Sequence, residues 1–371
     1  MMPKVKINSY QFLVLVTLFT IGTGILVVPS ILATEAKQDA WIAALLGTSI
    51  GILIIWLFTT IGLWFPNLTF VQMNETLFGK WVGKAISIFF LSINLLFTSI
   101  LLYYSGSFLT THVIPNTPMA ATNILMGVIM VMAVRLGLET IARSAEIFIV
   151  IFILLFLILV VFIAPEIQYE NIQPIFQEDI KSIGQASLSL IIVSSVNAVS
   201  LLMVFPALIN QPKTAKKYFL IGSFLGGLVI TIITLLCIFV LGPDLTARQM
   251  YPSYGLAKKI NIGNFINRIE ALMATLWIIS LYFKMVLYFF ASVYGFAQTI
   301  NLKDYRPLTY PLAIIVIVLS LVIFPNVMEQ QRFDSTTSVY YSLMIGLYLP
   351  LLMVFVYIIR KKQLKKNAEH S

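Results

Sequence analysis

Apolar runs of about 20 residues, each long enough to cross a bilayer as a helix, follow one another along the whole chain. Taken with the polar and Pro/Gly-rich stretches between them, they predict ten spans, at roughly 10–34, 41–63, 82–110, 120–138, 142–164, 184–208, 217–241, 266–298, 309–325 and 336–360. The pattern is that of an all-α polytopic membrane protein. The first run is too long for a cleaved signal segment.

Two runs are interrupted from within. The first carries Ile21-Gly22-Thr23-Gly24-Ile25, with Pro29 close behind. Glycine adds backbone entropy and proline deletes an N–H donor, so both weaken a helix there. In lipid a broken helix is tolerated only where protein buries it or a cavity lines it, and transporters use such breaks to present N–H and C=O groups to small solutes. The competing reading is that Gly22 and Gly24 let two helices pack closely. The sixth run carries Ser194-Ser195-Val196-Asn197-Ala198-Val199-Ser200, followed by Pro206. Its small polar side chains suit a second break, although an intact helix whose serines bond back to their own carbonyls fits as well.

Ten spans divide into five and five, and an odd number per half forces the halves into opposite orientations, an inverted repeat. The expected organisation is residues 1–164 as the first five-helix repeat, 165–183 as an outer loop, 184–360 as the second repeat and 361–371 as a basic cytoplasmic tail. Of the 24 Lys and Arg residues, sixteen fall on one side, from Lys4, Lys6 and Lys80 to Lys365 and Lys366. Seven fall on the other (Lys37, Lys181, Arg248, Lys258, Lys259, Arg268 and Arg332), and Lys284 lies inside a span. That asymmetry predicts both termini in the cytoplasm. The stretch 242–265, punctuated by Pro243, Pro252, Gly255 and Gly263, predicts a cap of short helices. The glycosylation patterns at Asn67 and Asn74 fall on the inner side and are read as chance.

Composition removes several classes of chemistry. The chain is 59% apolar and 11% charged, and its net charge of +9 is mostly a topology signal rather than a nucleic-acid surface. One cysteine, Cys237, excludes disulfides and a cysteine-based metal site within the chain. His112 and His370 are the only histidines, and no Gly-rich phosphate loop or paired acid site appears. Neither an enzyme, a metal site nor a cofactor is expected.

What remains is a set of side chains that suit a polar cavity. Ser87, Asn94, Thr98, Ser105 and His112 share one face of the third span, at spacings of 7, 4, 7 and 7 residues. Such a face turns to the bundle interior, either to a ligand or to interhelical hydrogen bonds. Tyr103 and Tyr104 flank it. In the eighth span Glu270, Trp277, Lys284, Tyr288 and Ser292 share a face, and Lys284 lies roughly 21 Å along the axis from Glu270. An internal lysine faces a polar interior or snorkels to the nearer surface. In the first case it is an ammonium held by the carbonyls of a broken helix, or a neutral amine in a dry pocket. Tyr104 and Tyr288 are placed to close over a small ligand. Neither interrupted span, as bounded here, holds an Asp or Glu.

Gly22-Thr23-Gly24-Ile25 with Pro29, the serine-rich sixth span and ten spans in this length resemble the amino acid–polyamine–organocation superfamily. Within it, the short length and basic tail resemble the B-subunit family of spore-germination receptors. The resemblance implies a leucine-transporter-like fold with a site between the first, third, sixth and eighth spans. The ligand carboxylate would meet backbone N–H groups at Thr23, Gly24 and Ile25, and its amino group carbonyls near Ser194 to Val199. The candidate ligand-binding set is therefore Gly22, Thr23, Gly24, Ile25, Thr98, Tyr104, Ser195, Asn197, Ala198, Val199, Lys284 and Tyr288. The resemblance also implies a small-molecule nutrient, such as an amino acid, as ligand. An A-type membrane subunit and a C-type lipoprotein would be its partners in the spore inner membrane or cell membrane. Some proton-coupled permeases of the superfamily carry a fifth-span lysine. Residues 142–164 hold none, and Lys284 of the eighth span is the candidate substitute for an ion. A receptor subunit and a secondary amino-acid permease both fit, and the lack of an evident coupling carboxylate favours the receptor.

Overall fold

The computed structural model describes residues 6–259 and 269–369, the last seven as backbone only. Lys4, Gly263, Arg268 and His370 lie outside the described residues, as do the side chains of Lys365 and Lys366. Every regular element among the described residues is helical; the one β-type pairing is an isolated bridge between Ile7 and Ile209.

The first predicted span is two helices, α1 (Ser9–Ile21) and α2 (Gly24–Ala36). Asn8 starts α1 with a capping box: its side chain accepts from Gln11 N–H at 2.7 Å while Gln11 Oε1 accepts from Asn8 N–H at 3.1 Å. Gly22 ends it at φ 36°, a left-handed backbone that a side chain would strain. A tight turn at Lys37–Asp39 leads to α3 (Ala40–Trp64). The chain continues with α4 (Phe70–Phe78), α5 (Lys80–Phe108), α6 (Met119–Leu136) and α7 (Leu138–Ile163). The second half holds α8 (Ile180–Leu190), α9 (Pro212–Arg248), α10 (Pro252–Lys259), α11 (Glu270–Thr299), α12 (Thr309–Val322), α13 (Val327–Ser335), α14 (Thr337–Leu343) and α15 (Leu349–Glu369). By length and composition, eight helical segments among the described residues can cross a membrane, and two shorter apolar helices, Ser9–Ile21 and Arg306–Val322, accompany them. The first of the eight, Gly24–Trp64, runs α2 and α3 together through the tight turn, while the break at Gly22 leaves α1 short.

The sixth span does not open into extended chain. After α8 the backbone widens into a π turn, Ile191–Ser195, and then tightens into a 3-10 segment, Val196–Met203. Val196 N–H still reaches Ile191 O, five residues back, whereas later donors reach only three back. Such a change of winding passes over the carbonyls in between and frees them for other donors.

α1 is buried on nearly all sides, held by α7, α9 and α11. A glycine face on α9 brings the backbones together. Side chains at Gly222, Gly226 and Gly227 would collide with Leu13 O and Val16, with Thr20, and with Thr48. The two irregular spans are also tied directly: Ile7 N–H donates to Leu208 O at 2.9 Å and Asn210 N–H to Ile7 O at 3.0 Å.

The connecting stretches are ordered. Asp39, fully buried, accepts from Phe176 N–H at 2.9 Å and Glu178 N–H at 3.1 Å, and Lys37 pairs with Glu178 at 3.0 Å, so the 165–183 loop is clamped to the α2–α3 turn. α9 kinks at Gly242, φ 75°, before Pro243, and with α10 it supplies short helices over the stretch where the punctuation predicted them. Asn74 is buried and donates to Ser87 Oγ, a position closed to glycosylation. Arg143 and Glu139 form an exposed i,i+4 pair, as a solvated charge cluster would.

Candidate functional site

A cavity of about 440 Å³ lies where the first break meets the third, sixth and eighth spans and α13. Of the residues proposed from sequence, Thr23, Gly24, Tyr104, Asn197, Lys284 and Tyr288 line it. Gly22, Ile25, Thr98, Ser195, Ala198 and Val199 do not. Thr98 Oγ1 donates to Asn94 O at 2.8 Å, Ala198 and Val199 are packed in the apolar core, and Ser195 faces Gly51 of α3. Ile25 O is taken by Ser253 Oγ at 2.6 Å and Gly22 O by Ser280 Oγ at 2.9 Å.

Gly24 and Ile25 are the first two residues of α2, so their N–H groups have no partner within the helix, and Thr23 offers no side-chain cap. That helix end is a ready acceptor of negative charge. Gly24 serves both readings of the glycine motif. It lines the cavity, while the side chain it lacks would run into Ile230 of α9.

Lys284 does not snorkel. It is 2% exposed, its stem fills the space left by the missing side chain of Gly22, and Nζ donates to Val193 O at 3.0 Å. Val193 lies in the π turn, among the carbonyls released by the change of winding. Nζ also sits 5.3 Å from the centre of the Phe19 ring. One lysine thus joins both irregular spans and still lines the cavity.

The polar stripe of the third span is mostly structural. Asn94 donates to Phe90 O at 2.8 Å and accepts from Ser200 Oγ across the bundle, Ser105 bonds Leu102 O, and His112 packs among Phe108, Tyr251 and Tyr254. Ser194 Oγ bonds its own helix at Leu190 O, 2.7 Å, the behaviour expected of an intact helix. Asn197 differs: it lines the cavity and its Oδ1 has no partner.

The cavity contains acids that the sequence reading left out. α2 runs to Ala36, so Glu35 belongs to the interrupted span and lines the cavity at an exposed position. Asp334 of α13 lines it too and accepts the Tyr104 hydroxyl. Gln330, one turn earlier, is 3% exposed with Oε1 unpartnered, and Trp277 is 1% exposed with Nε1 unpartnered. Tyr251 completes this end, and burial raises its hydroxyl above the ordinary phenol range, so it stays protonated. Tyr288 packs on Phe19 and Phe97. Trp277 alone of Gln330, Asp334, Glu35 and itself carried a signal in sequence, through its shared face with Lys284.

Residues 6–328 match the family model described as spore germination protein. Spore germination protein KB of Bacillus subtilis (strain 168) is 28% identical over 370 residues, covering 99% of this chain and 98% of that protein. Among solved structures, MhsT in complex with L-phenylalanine superposes with a TM-score of 0.69 at 14% identity, covering 96% of this chain and 99% of that one. Mhp1, a nucleobase-cation-symport-1 family transporter in a closed conformation with bromovinylhydantoin bound, gives 0.66 at 11% identity, covering 97% and 80%. Identities this low speak for the fold alone, which is leucine-transporter-like.

Proposed function

The chain belongs to the spore germination protein family, and from that premise we propose that it is the nutrient-binding subunit of a germinant receptor. The ligand is a small nutrient, an amino acid, taken up in the cavity at the start of α2. Its binding shifts the population of a conformer that partner subunits read. An A-type membrane subunit and a C-type lipoprotein are the proposed partners, in the spore inner membrane with both termini cytoplasmic. Family and fold make the chain a receptor or transporter and not an enzyme.

The observation that carries the reading is a cavity at a helix N-terminus, of a size usual for small-molecule sites. The fold likeness to MhsT, which was solved holding L-phenylalanine, supports an amino acid as the ligand class. A secondary permease is the second reading, favoured by Glu35 and Asp334, since carboxylates on a cavity can couple protons or ions.

Full-length protein in lipid nanodiscs, heated with each of the common amino acids, tests the reading. One or a few should raise the unfolding temperature, as a ligand at about 100 times its Kd stabilises by about 2.7 kcal/mol. The same amino acid should not accumulate in proteoliposomes under a proton or sodium gradient. Accumulation identifies a permease; protection by none of them removes the binding reading.

A further inference from the structure

The acceptors on the cavity wall are more than the helix break explains. Asp334 has no Lys, Arg or His within ion-pair distance among the described residues, and its described partners, the Tyr104 hydroxyl and the Gln330 side-chain amide, are both neutral. Gln330, buried beside it on the same helix face, presents an unpartnered Oε1. Glu35 adds a second negative charge to the wall. Three acceptor side chains thus line one cavity, and among the described residues neither carboxylate is in an ion pair.

The positive features belong to a different level of the cavity. Lys284 is one turn from Tyr288, whose ring meets Phe97 at 5.7 Å. Tyr104, which reaches Asp334, is one turn from Phe108, whose ring meets Trp277 at 4.7 Å. The two ring contacts set α5 and α11 antiparallel, with Phe97 level with Tyr288 and Phe108 level with Trp277, so Tyr104 stands about three residues, roughly 4.5 Å, beyond Lys284 toward Trp277. The cavity therefore has one end with Lys284 and the α2 N-terminus, and a second end, entered about one helical turn further toward Trp277, where Tyr104 meets Asp334 beside Gln330. Val193 O, a sixth-span carbonyl of the kind that would receive a ligand ammonium, is already occupied by Lys284 Nζ.

We propose that the ligand is a basic amino acid. Its carboxylate lies at the α2 N-terminus beside Lys284, and its side-chain ammonium or guanidinium is received by the Asp334 carboxylate and Gln330 Oε1. This deepens the receptor reading above and rests on it. An α-ammonium is bonded to the same carbon as its carboxylate, so it stays at the level of Lys284, where Val193 O is already occupied. A bare metal ion wants a fuller oxygen shell than one carboxylate and one amide oxygen supply. Charge-assisted contacts of this kind discriminate strongly against a neutral isostere, because the buried acceptors are then left unpaired.

The test uses isosteric pairs, L-arginine against L-citrulline and L-lysine against L-6-hydroxynorleucine, with the full chain in nanodiscs and thermal protection as readout. The basic member of at least one pair should protect at about tenfold lower concentration than its neutral partner, a difference of about 1.4 kcal/mol. Asp334→Asn should abolish that preference. Glu329→Gln, at an exposed position of the same helix that does not line the cavity, should retain the preference and serves as the folding control. Equal protection by citrulline and arginine, and by 6-hydroxynorleucine and lysine, overturns the inference, as does a preference that survives Asp334→Asn. Protection by neutral amino acids alone overturns it and leaves the receptor reading standing; protection by none overturns both. Asp334-dependent protection by sodium alone, against choline at equal ionic strength, makes the cluster an inorganic cation site and also overturns it.

Discussion

Lys284 and Gly22 act as one unit. The lysine stem occupies the volume a side chain at position 22 would need, and its head caps Val193 O in the opposite irregular span. Lys284→Met keeps the stem and deletes the head, so packing should survive better than signalling. The expected result in spores is near-normal protein level with a strongly reduced nutrient response, and a wild-type response unchanged when potassium replaces sodium. A fully active Lys284→Met receptor would show that the bond to Val193 O only supports structure, and strict sodium dependence would reveal an ion site. Lys284 was legible in the sequence because a lysine in an apolar run cannot be neutralised by loop solvent. Asp334 was not: it lies in the polar stretch between two predicted spans, where an acid is ordinary, and only folding brings α13 over the cavity. Glu35 was missed because the first span was ended one residue before it, and helix ends are set by caps and turns that hydropathy does not register.

At the level of elements, the interruption of the first span was visible as glycines and a proline, because only backbone-permissive residues make a left-handed turn there. The sixth span was only half visible. Serines and an asparagine announce polar groups in need of partners, but the same composition suits a break, an intact helix or a change of winding, and the π-to-3-10 change is decided by packing against α3 and Gly346. The glycine face of α9 gave no warning at all, since its role exists only against α1 and α3. Gly226→Leu should separate α9 from Thr20 and cost about 1–3 kcal/mol, as overpacking does. A lower unfolding temperature of the detergent-purified protein, with loss of yield, is the expected readout. An unchanged temperature would mean that the two helices are not packed backbone to backbone.

At the scale of the molecule, the two irregular spans meet around one cavity, and α1, the most enclosed helix, is clamped between α9, α11 and α7. A ligand that bridges α2, α11 and α13 touches elements from both halves, so its binding can bias their relative arrangement, which is what a receptor subunit must report to its partners. The central claim is that the nutrient occupies this cavity. The native chain has a single cysteine, Cys237, and it is buried, so one new thiol can be followed without interference. Val27 lines the cavity and is partly accessible. In Val27→Cys protein, the rate of modification by a small methanethiosulfonate reagent is measured with and without the nutrient that triggers germination. The account predicts that saturating nutrient slows labelling at least about tenfold, while Trp81→Cys, at an exposed position far along α5 from the cavity, labels at the same rate in both conditions. An unchanged labelling rate at position 27 under nutrient concentrations that fully trigger germination would contradict it.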